Sequence, residues 1–375
     1  MKLVVGITAP LSVILIKGQL KYFSDLGVKV FLLAPKTKET VEFCKLENVT
    51  LLPVDIKRDI NITADILALR TIYKHLQNIK PDVINIGTPK MGLLGSIAGW
   101  LTKTPKVIYT CRGFRFEHEK GVKQKVLKYL DRFAISKADK VICISESVKQ
   151  LGLKEQMFLE DKAIIFGKGS SNGLDLEFFN PGLYTELKKE ELKSKYNIKE
   201  KFVFGFVGRI VDRKGINELY DAFVKVQAKD SDVHLLIVGK ANLEQVSDPS
   251  LIEKLENNPQ VTLTGYVENV NDYMAVMNMF VLPAWWEGFG NTLIQAAAMG
   301  LPIISCNVTG CKDAVSNLYN GILLPPKDTK LLYRTMIELK NNDQEMKRLG
   351  QNGVIWSKNF DSQYIWKNMK DLYES

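Results

Sequence analysis

Short apolar runs alternate with longer amphipathic stretches along the first half of the chain. The runs are rich in branched side chains, which is typical of buried parallel strands. They lie at residues 3–7, 28–34, 50–54, 83–86, 107–111 and 141–145. Helical patterns such as 64–79 and 92–101 separate them. This alternation predicts a doubly wound parallel sheet of the α/β class.

A second series of the same kind restarts after residue 200. Its apolar runs lie at residues 202–207, 234–238, 261–264, 279–283 and 302–305, with helical patterns between them, as in 216–227 and 293–299. The segment 166–175 is rich in glycine and turn-forming polar residues, which favours a hinge. A chain of 375 residues can hold two such domains. We therefore predict two Rossmann-like domains, residues 1–168 and 169–359.

Composition narrows the class of protein without changing this architecture. Hydrophobic residues make up 46% of the chain and charged residues 25%, which excludes disordered and collagen-like proteins. The five cysteines form no Cys-x-x-Cys pair, so we expect neither a disulfide framework nor a zinc site. Residues 1–16 resemble a signal segment but lack a cleavage site, and no apolar run reaches the roughly 20 residues that span a bilayer. We expect a cytoplasmic protein that attaches to a membrane only at its surface.

Positive charge is concentrated in the first half of the chain. Residues 1–170 hold 28 Lys and Arg against 16 Asp and Glu, a net charge of +12, whereas residues 171–375 hold 23 against 26, a net charge of −3. One predicted helical surface carries Lys120, Lys123, Lys125, Lys128, Arg132, Lys137 and Lys140, with Val126, Leu127, Leu130, Phe133 and Ala134 between them. This surface is either a solvated amphipathic face or one that adsorbs to an anionic membrane. No nucleic-acid partner is expected, because no aromatic-interleaved basic motif is present.

A loop suited to phosphate follows the predicted strand 279–284. The loop 285–291 leads into a small-residue helix that begins near Asn291 and stops at Gly300-Leu-Pro302. The positive end of the helix dipole points at the loop, so backbone N–H groups there favour a phosphate or diphosphate. An ordinary strand-to-helix turn is the alternative.

A second turn brings cations to the same edge of the predicted sheet. Val207-Gly208-Arg209 ends a strand, and Lys214-Gly215 opens the next helix. Arg209 is suited to forked contacts with phosphate oxygens, and Lys214 to a point contact. The alternative is a solvated basic turn.

The motif Glu287-Gly-Phe-Gly290 resembles the donor-site signature of the nucleotide-sugar glycosyltransferases of family 4. The resemblance is closest to the CapM-like subgroup, which builds capsule and lipid-linked oligosaccharides. In this family a second Glu follows eight positions after the first, whereas this chain has Gln295, which can accept a hydrogen bond but carries no charge. The resemblance implies a GT-B fold, in which two Rossmann-like domains face each other across a cleft. It also implies that the last helix, here 360–375, packs back on the first domain.

The resemblance implies which residues hold the donor, a UDP-sugar. Arg209 and Lys214 match the pair that holds the donor diphosphate, and Glu287 matches the residue that binds hydroxyl groups of the sugar; we count all three as catalytic. The other donor positions implied are Gly265, Val267, Gly288, Phe289, Gly290, Asn291, Thr292 and Gln295. In this scheme fixed cations take the place of a metal ion. The Asp-x-Asp sequence Asp230-Ser-Asp232, whose carboxylates are candidate metal ligands, falls in a predicted turn. We therefore predict no metal site and no required cofactor.

The first domain is expected to bind the acceptor. Many relatives place a His at the reacting centre after a strand, where this chain has His118 flanked by Glu117 and Glu119. His118 and Glu117 are the candidate bases. The other candidate acceptor residues are Ser12, Gly18, Arg112 and Arg115, the two arginines for a lipid diphosphate.

These residues lead to one hypothesis and its rivals. We expect a retaining hexosyltransferase that moves a hexose or an N-acetylated (deoxy)amino sugar from a UDP-sugar to a glycan acceptor. The acceptor is expected to be linked to undecaprenyl diphosphate, in capsule or surface polysaccharide biosynthesis at the inner face of the plasma membrane. A UDP-sugar epimerase of the same two-domain fold and a non-catalytic membrane scaffold are the rivals. A nicotinamide-dependent oxidoreductase is disfavoured, because Gly6-Ile-Thr-Ala-Pro-Leu11 lacks the Gly-x-Gly-x-x-Gly motif.

Overall fold

The chain folds into two compact units. The computed structural model describes residues 1–57, 61–198 and 201–375. One unit is Met1–Gly173 with Ser362–Ser375, and the other is Leu174–Asp361. The N–H of Ser170 still donates to Ile144 O in the first unit, and the N–H of Leu174 donates to Phe360 O in the second, both at 2.7 Å. The predicted boundary after residue 168 lies before these bonds. The assignment of acceptor and donor to the two units stays a prediction.

The first unit is built on a parallel sheet. In the described residues its strands are β1 Lys2–Gly6, β2 Lys29–Ala34, β3 Thr50–Pro53, β4 Val83–Ile86, β5 Lys106–Cys111, β6 Lys140–Cys143 and β7 Ala163–Ile164. They lie in the order β3-β2-β1-β4-β5-β6-β7, and Leu3 is paired with Val30 on one side and Val83 on the other. The helices between them are α1 Gln19–Asp25, α2 Lys38–Leu46, α3 Ile62–Ile79, α4 Pro89–Leu101, α5 Gly121–Ser136 and α6 Glu146–Lys154. The order reverses between β1 and β4, which is where such sheets bind ligands.

The second unit repeats the plan. Its described strands are β8 Phe202–Val207, β9 Val233–Val238, β10 Val261–Leu263, β11 Met279–Leu282, β12 Ile303–Cys306 and β13 Gly321–Leu324, in the order β10-β9-β8-β11-β12-β13. Its helices are α7 Glu186–Lys195, α8 Ile216–Gln227, α9 Ser250–Asn257, α10 Val270–Ala275, α11 Asn291–Ala298, α12 Cys311–Ala314, α13 Thr329–Lys340 and α14 Asp343–Ser357. Phe204, Leu236 and Phe280 are fully buried, as expected for strands covered on both faces. Here the order reverses between β8 and β11.

The last helix, α15 Ser362–Glu374, belongs to the first unit. Ile365, Trp366 and Tyr373 are buried in the same core as Phe23. The Trp366 Nε1–H donates to Asn172 Oδ1 at 2.9 Å, so the indole is buried with its polar atom satisfied. The helix thus gains its stability from the first sheet, although it follows the second unit in sequence.

The fold class predicted from the periodicity is confirmed. Two edge strands were not predicted. β7 has only two residues, and the short run Gly321–Leu324 that forms β13 was not recognised as a strand. The predicted run 141–145 extends two residues past the end of β6 at Cys143. Ser145 is instead the N-cap of α6, and its hydroxyl accepts a hydrogen bond from Val148 N at 3.1 Å.

The five cysteines are buried inside the two units. Cys44, Cys111, Cys143, Cys306 and Cys311 are all buried and free of disulfides. Burial raises the pKa of the Cys44 thiol to about 11, so this group is a neutral core residue. Within the described ranges, no helix is both long enough and apolar enough to cross a bilayer.

Candidate functional site

The candidate site lies at the carboxyl edge of the second sheet, where the strand order reverses. β8 and β11 are neighbours there, and the connections that leave them run to opposite sides of the sheet. The loop after β8 carries Arg209 and Lys214, and the loop after β11 carries Glu287. The topology therefore brings together residues that are more than 70 positions apart in sequence.

The two loops are joined through their backbones. Trp285 N–H donates to Arg213 O at 2.8 Å. Gly215 has φ 71°, and a Cβ at this position would overlap the carbonyl of Pro283. Glycine is thus required twice here, for the left-handed conformation and for the close approach. The spacing between the loops is set by main-chain contacts, and the side chains they carry are held in a fixed relation.

A compact group of charges occupies the junction. Lys214 Nζ contacts Glu287 Oε1, and Arg213 Nη1 lies 3.7 Å from the same oxygen. The Glu287 side chain is 9% exposed and the Lys214 side chain 12% exposed, so this ion pair is largely removed from water. The Arg213 guanidinium also lies over the Trp286 ring, 4.5 Å from its centroid. Within this group of three side chains, two cations face one carboxylate.

Residues after β12 hold the loop 285–290 from the other side. Glu287 N–H donates to Thr309 O at 3.1 Å, and Gly290 N–H donates to Gly310 O at 3.3 Å. The Gly290 amide that the resemblance places at the donor is therefore used within the protein. The buried Phe289 ring packs on Phe360, with ring centroids 5.6 Å apart. These contacts fix the backbone that carries the Glu287 side chain.

Helix α11 begins directly after this loop. Its N-cap is Gly290, and in the described structure no side chain caps its first turn. The positive end of its dipole therefore lies next to Glu287 and the cations. Asn291 and Thr292 form the first turn, and Gln295 lies one turn further along the face that carries Asn291.

The predicted base-binding segment lies along the same edge. Gly265 follows β10 and forms a backbone bridge with Gly239, which follows β9. A Cβ on Gly239 would in turn overlap the carbonyl of Gly208 after β8. The three loops are therefore packed side by side, and Gly265 and Val267 lie in the same row of loops as Arg209.

In the first unit, Gly18 is engaged by the protein itself. Its N–H and that of Lys21 donate to the two carboxylate oxygens of Glu47, each at 2.8 Å. A Cβ on Gly18, which has φ 79°, would lie 2.9 Å from the Trp366 ring. Ser12 lies in the 3-10 turn Pro10–Leu15 that precedes it. Gly18 thus has a structural role in the start of α1, whatever its part in acceptor binding.

Arg112 and Arg115 are in different surroundings. Arg112 is largely buried, burial lowers its pKa to about 10, and its Nε has no hydrogen-bond partner in the described structure. It borders a cavity of about 10 Å³ together with Gly87, a volume that holds no more than about one water. Arg115 is exposed at the start of the 3-10 turn Arg115–His118. No hydrogen bond or ion pair joins Ser12, Gly18, Arg112 and Arg115 to one another in the described part of the chain.

The candidate base region is described only in part. Glu117 is half-buried in the 3-10 turn, and the side chain of His118 lies outside the described residues. Burial, opposed by Arg115, raises the pKa of Asp131 on α5 to about 6. This carboxyl was not among the sequence candidates, because a pKa raised by burial leaves no mark in the sequence.

The carboxylates of the Asp230-Ser-Asp232 motif are paired with lysines. Asp230 lies 2.6 Å from Lys340 Nζ, and Asp232 lies 3.4 Å from Lys201 Nζ. Among the described residues, no group of three or more His, Cys, Asp or Glu side chains is placed to hold a metal ion.

Arg213 and Trp286 are site residues that the sequence reasoning missed. Both border the Lys214–Glu287 pair, and Arg213 directly precedes Lys214. The run Arg213-Lys214-Gly215 was a signal that could have identified the arginine. Its stacking on Trp286 depends on the junction between the loops and was not visible in the sequence.

Comparison with known proteins identifies the family. Residues 188–356 match the family described as glycosyl transferases group 1, and residues 8–145 match the family described as glycosyl transferase 4-like. The capsular polysaccharide biosynthesis glycosyltransferase CapM of Staphylococcus aureus is 34% identical over 372 residues, which are 98% of this chain and 96% of CapM. The UDP-Gal:alpha-D-GlcNAc-diphosphoundecaprenol alpha-1,3-galactosyltransferase of Escherichia coli is 30% identical over 295 residues, which are 76% of this chain and 73% of that enzyme. The chain belongs to this glycosyltransferase family and is a transferase, and the resemblance to CapM-like enzymes is confirmed.

A solved structure identifies the fold. The crystal structure of Anabaena HepE in complex with UDP matches with a TM-score of 0.82 at 17% sequence identity, over 100% of each chain. At this level of identity the likeness concerns the fold alone. It confirms the GT-B fold class predicted for this chain.

Proposed function

We propose that the protein is a retaining, metal-independent glycosyltransferase that uses a UDP-sugar as donor. It transfers a hexose or an N-acetylated (deoxy)amino sugar to a glycan acceptor linked to undecaprenyl diphosphate, in capsule or surface polysaccharide biosynthesis. The names of CapM and of the Escherichia coli galactosyltransferase support the acceptor class and the pathway. UDP bound in HepE supports the nucleotide.

The contact between Lys214 and Glu287 is the observation that supports the donor site. It lies at the carboxyl edge between β8 and β11, beside the uncapped start of α11. In the proposal Lys214 and Arg209 bind the donor diphosphate, and Glu287 orients Lys214 and accepts hydrogen bonds from the donor sugar. The positive charge left over by this group matches a diphosphate, whose charge increases as the bond to the sugar breaks.

Fixed cations are suited to this reaction because they need no rearrangement as charge develops. Removing one charged group of this kind typically costs about 10²–10³ in rate. The bond from the sugar carbon to the diphosphate oxygen breaks, and the bond to the acceptor oxygen forms on the same face. The acceptor proton passes to an oxygen of the leaving diphosphate or to a base, for which His118 and Glu117 are the candidates.

The first unit supplies the acceptor side of the proposal. Ser12, Gly18, Arg112 and Arg115 are the acceptor-binding candidates, with the two cations directed to the lipid diphosphate. An acceptor carried on a lipid also implies that the enzyme works at the cytoplasmic face of the plasma membrane. The excess of 12 positive charges in residues 1–170 supports peripheral attachment there.

A donor panel tests the function. Purified protein is incubated with single UDP-sugars and membrane-extracted lipid-linked acceptor, product is read by mass shift, and the anomeric configuration of the new bond is read by NMR. We expect one UDP-sugar to give an α-linked product from an α-linked donor, and Glu287→Gln to reduce the rate at least about 100-fold. Glu256→Gln, an exposed glutamate on α9, is the matched control.

Two outcomes would overturn the proposal. If UDP-sugar is converted to another UDP-sugar without acceptor, the protein is an epimerase. If no UDP-sugar binds or reacts, the assignment of the donor site is wrong. Inverted configuration in the product would remove the retaining mechanism while leaving the donor site in place.

A further inference from the structure

Helix α5 presents an apolar stripe to solvent. Of its residues, Val122 is 78% exposed, Val126 44%, Tyr129 68% and Phe133 39%. At about 100° per residue the four side chains fall within about 60° of one another, along about 16 Å of helix. Leu127, Leu130 and Ala134, which the sequence pattern also suggested, are instead half-buried or buried. The helix therefore has one apolar face in the unit and a second one outside.

The stripe continues onto the end of α4. Trp100 is 56% exposed and Leu101 47% exposed. Lys137 Nζ lies 4.4 Å from the centroid of the Trp100 ring and 5.3 Å from that of Phe133, so the two rings border one patch. A continuous patch of exposed aliphatic and aromatic side chains indicates a surface that binds a membrane or another molecule.

Cations flank the stripe on both sides. By helical position, Lys125 and Arg132 lie along one border and Lys123 and Lys137 along the other, while the acidic residue of the helix, Asp131, is on the opposite face. Part of this charge is compensated, since Lys123 lies 2.6 Å from Glu119. Long cationic side chains beside an apolar stripe match a bilayer surface, because their stems stay on the apolar side while the charges contact phosphate groups.

We infer that the outer face of α5, with Trp100, is the surface by which the protein lies on an anionic lipid bilayer. This rests on the proposed function, which requires an acceptor held in the membrane. The aromatic rings of Trp100, Tyr129 and Phe133 enter the interfacial region, and the flanking cations contact anionic head groups. The charge complementarity selects a lipid surface over a second copy of this chain, whose α5 carries the same positive charge.

Vesicle binding tests the inference without any sugar or acceptor. The full chain is sedimented with vesicles of phosphatidylcholine alone or with phosphatidylglycerol, at low and high salt. We expect binding to the anionic vesicles only, weakened by salt. Val126→Ser with Tyr129→Ser, and separately Lys123→Gln with Lys125→Gln, should each lower the partition coefficient at least about tenfold.

Matched variants on the second unit serve as controls. Val224→Ser with Ile355→Ser removes exposed apolar side chains, which are 40% and 57% exposed, and Lys225→Gln with Lys254→Gln removes exposed cations. These should leave vesicle binding unchanged, and all variants should keep the wild-type melting temperature and affinity for UDP. Equal vesicle binding by the α5 variants and wild type would overturn the inference. So would light scattering that shows a dimer broken by the same substitutions. Loss of UDP binding in the wild type would instead count against the proposed function.

Discussion

The carboxyl edges of the two sheets have the same topology but carry different side chains. In the second unit, Lys214, Arg213 and Glu287 are in contact, and a backbone hydrogen bond holds their loops together. In the first unit, Gly18 is bound to Glu47 and Arg112 is packed beside Gly87. The edge of the second sheet therefore carries a preformed charge cluster. At the edge of the first sheet, the polar groups bind other parts of the same unit. We expect substitutions at the second edge to have the larger effect on chemistry.

Lys214→Ala should have the largest effect. It removes the cation that contacts Glu287 and leaves that carboxylate 9% exposed and without its closest partner. We expect kcat/KM for transfer to fall about 10²–10³-fold. The measurement is initial rate against donor concentration. Lys254→Ala, which removes a lysine in an exposed ion pair with Asp248 on the same unit, should keep the wild-type rate.

Gly215→Ala tests the junction between the loops. The added methyl group overlaps the Pro283 carbonyl and stands at φ 71°, so the loops must separate. We expect a loss of about 3 kcal/mol or more in the free energy of unfolding and a loss of UDP binding. Gly27→Ala in the first unit has a similar φ of 79° with nothing within 4 Å, so it should cost only about 1 kcal/mol. Equal costs, measured by denaturant unfolding, would show that the close approach to Pro283 is unimportant.

Two titratable groups, one in each unit, should change the stability with opposite signs on acidification. His234 on β9 is buried, and burial lowers its pKa from 6.5 to about 4. Between these two pH values the imidazole is protonated in the unfolded chain but neutral in the folded chain. Its contribution to stability is lost as pH falls from about 6.5 to 4, by at most about 3 kcal/mol. Asp131 in the first unit has its pKa raised to about 6 from 3.8 by burial, so the folded chain binds the extra proton and stability rises as pH falls through that window.

Urea unfolding between about pH 7 and pH 4 separates these contributions. His234→Gln should flatten the loss on acidification, and Asp131→Asn should remove the gain. Changes of the same sign from both variants would show that burial does not govern the two groups as described.

Arg213→Ala should have the smallest effect of the site substitutions. Arg213 lies 3.7 Å from Glu287, beyond hydrogen-bonding distance, and stacks on Trp286. We expect it to position Glu287 and to change transfer about tenfold, mostly in KM for the donor. Arg213→Lys should restore charge without stacking and recover only part of the loss. A loss as large as that of Lys214→Ala would place Arg213 on the substrate instead.

Much of the fold could be predicted from the sequence, because buried parallel strands leave continuous apolar runs. The boundaries were less accurate where polar side chains act locally, as Ser145 does when it caps α6. β13 was missed, although other strands of four residues were predicted. The placement of α15 in the first unit came from the family resemblance, since a helix of 13 residues does not reveal what it packs against.

Three residues of the candidate site were proposed from the sequence, whereas Arg213, Trp286 and the contacts among these side chains were not. Arg209, Lys214 and Glu287 were identified from loop position and motif. The direct contact between Lys214 and Glu287 depends on β8 and β11 being neighbours, which the sequence alone does not specify. The engagement of Gly18 by Glu47 likewise depends on α2 ending beside α1. The sequence indicated which side chains to consider, whereas their contacts with one another became known only from the structure.

The affinity for UDP tests the account most directly. Titration calorimetry of the wild type, Lys214→Ala and Arg115→Ala compares one cation from each edge, and Arg115 is exposed in the first unit. We expect Lys214→Ala to weaken UDP binding about 10–100-fold, because it removes the charged contact proposed for the diphosphate, and Arg115→Ala to bind as the wild type does. Equal affinity of wild type and Lys214→Ala, or a loss confined to Arg115→Ala, would contradict a donor diphosphate site at the end of β8.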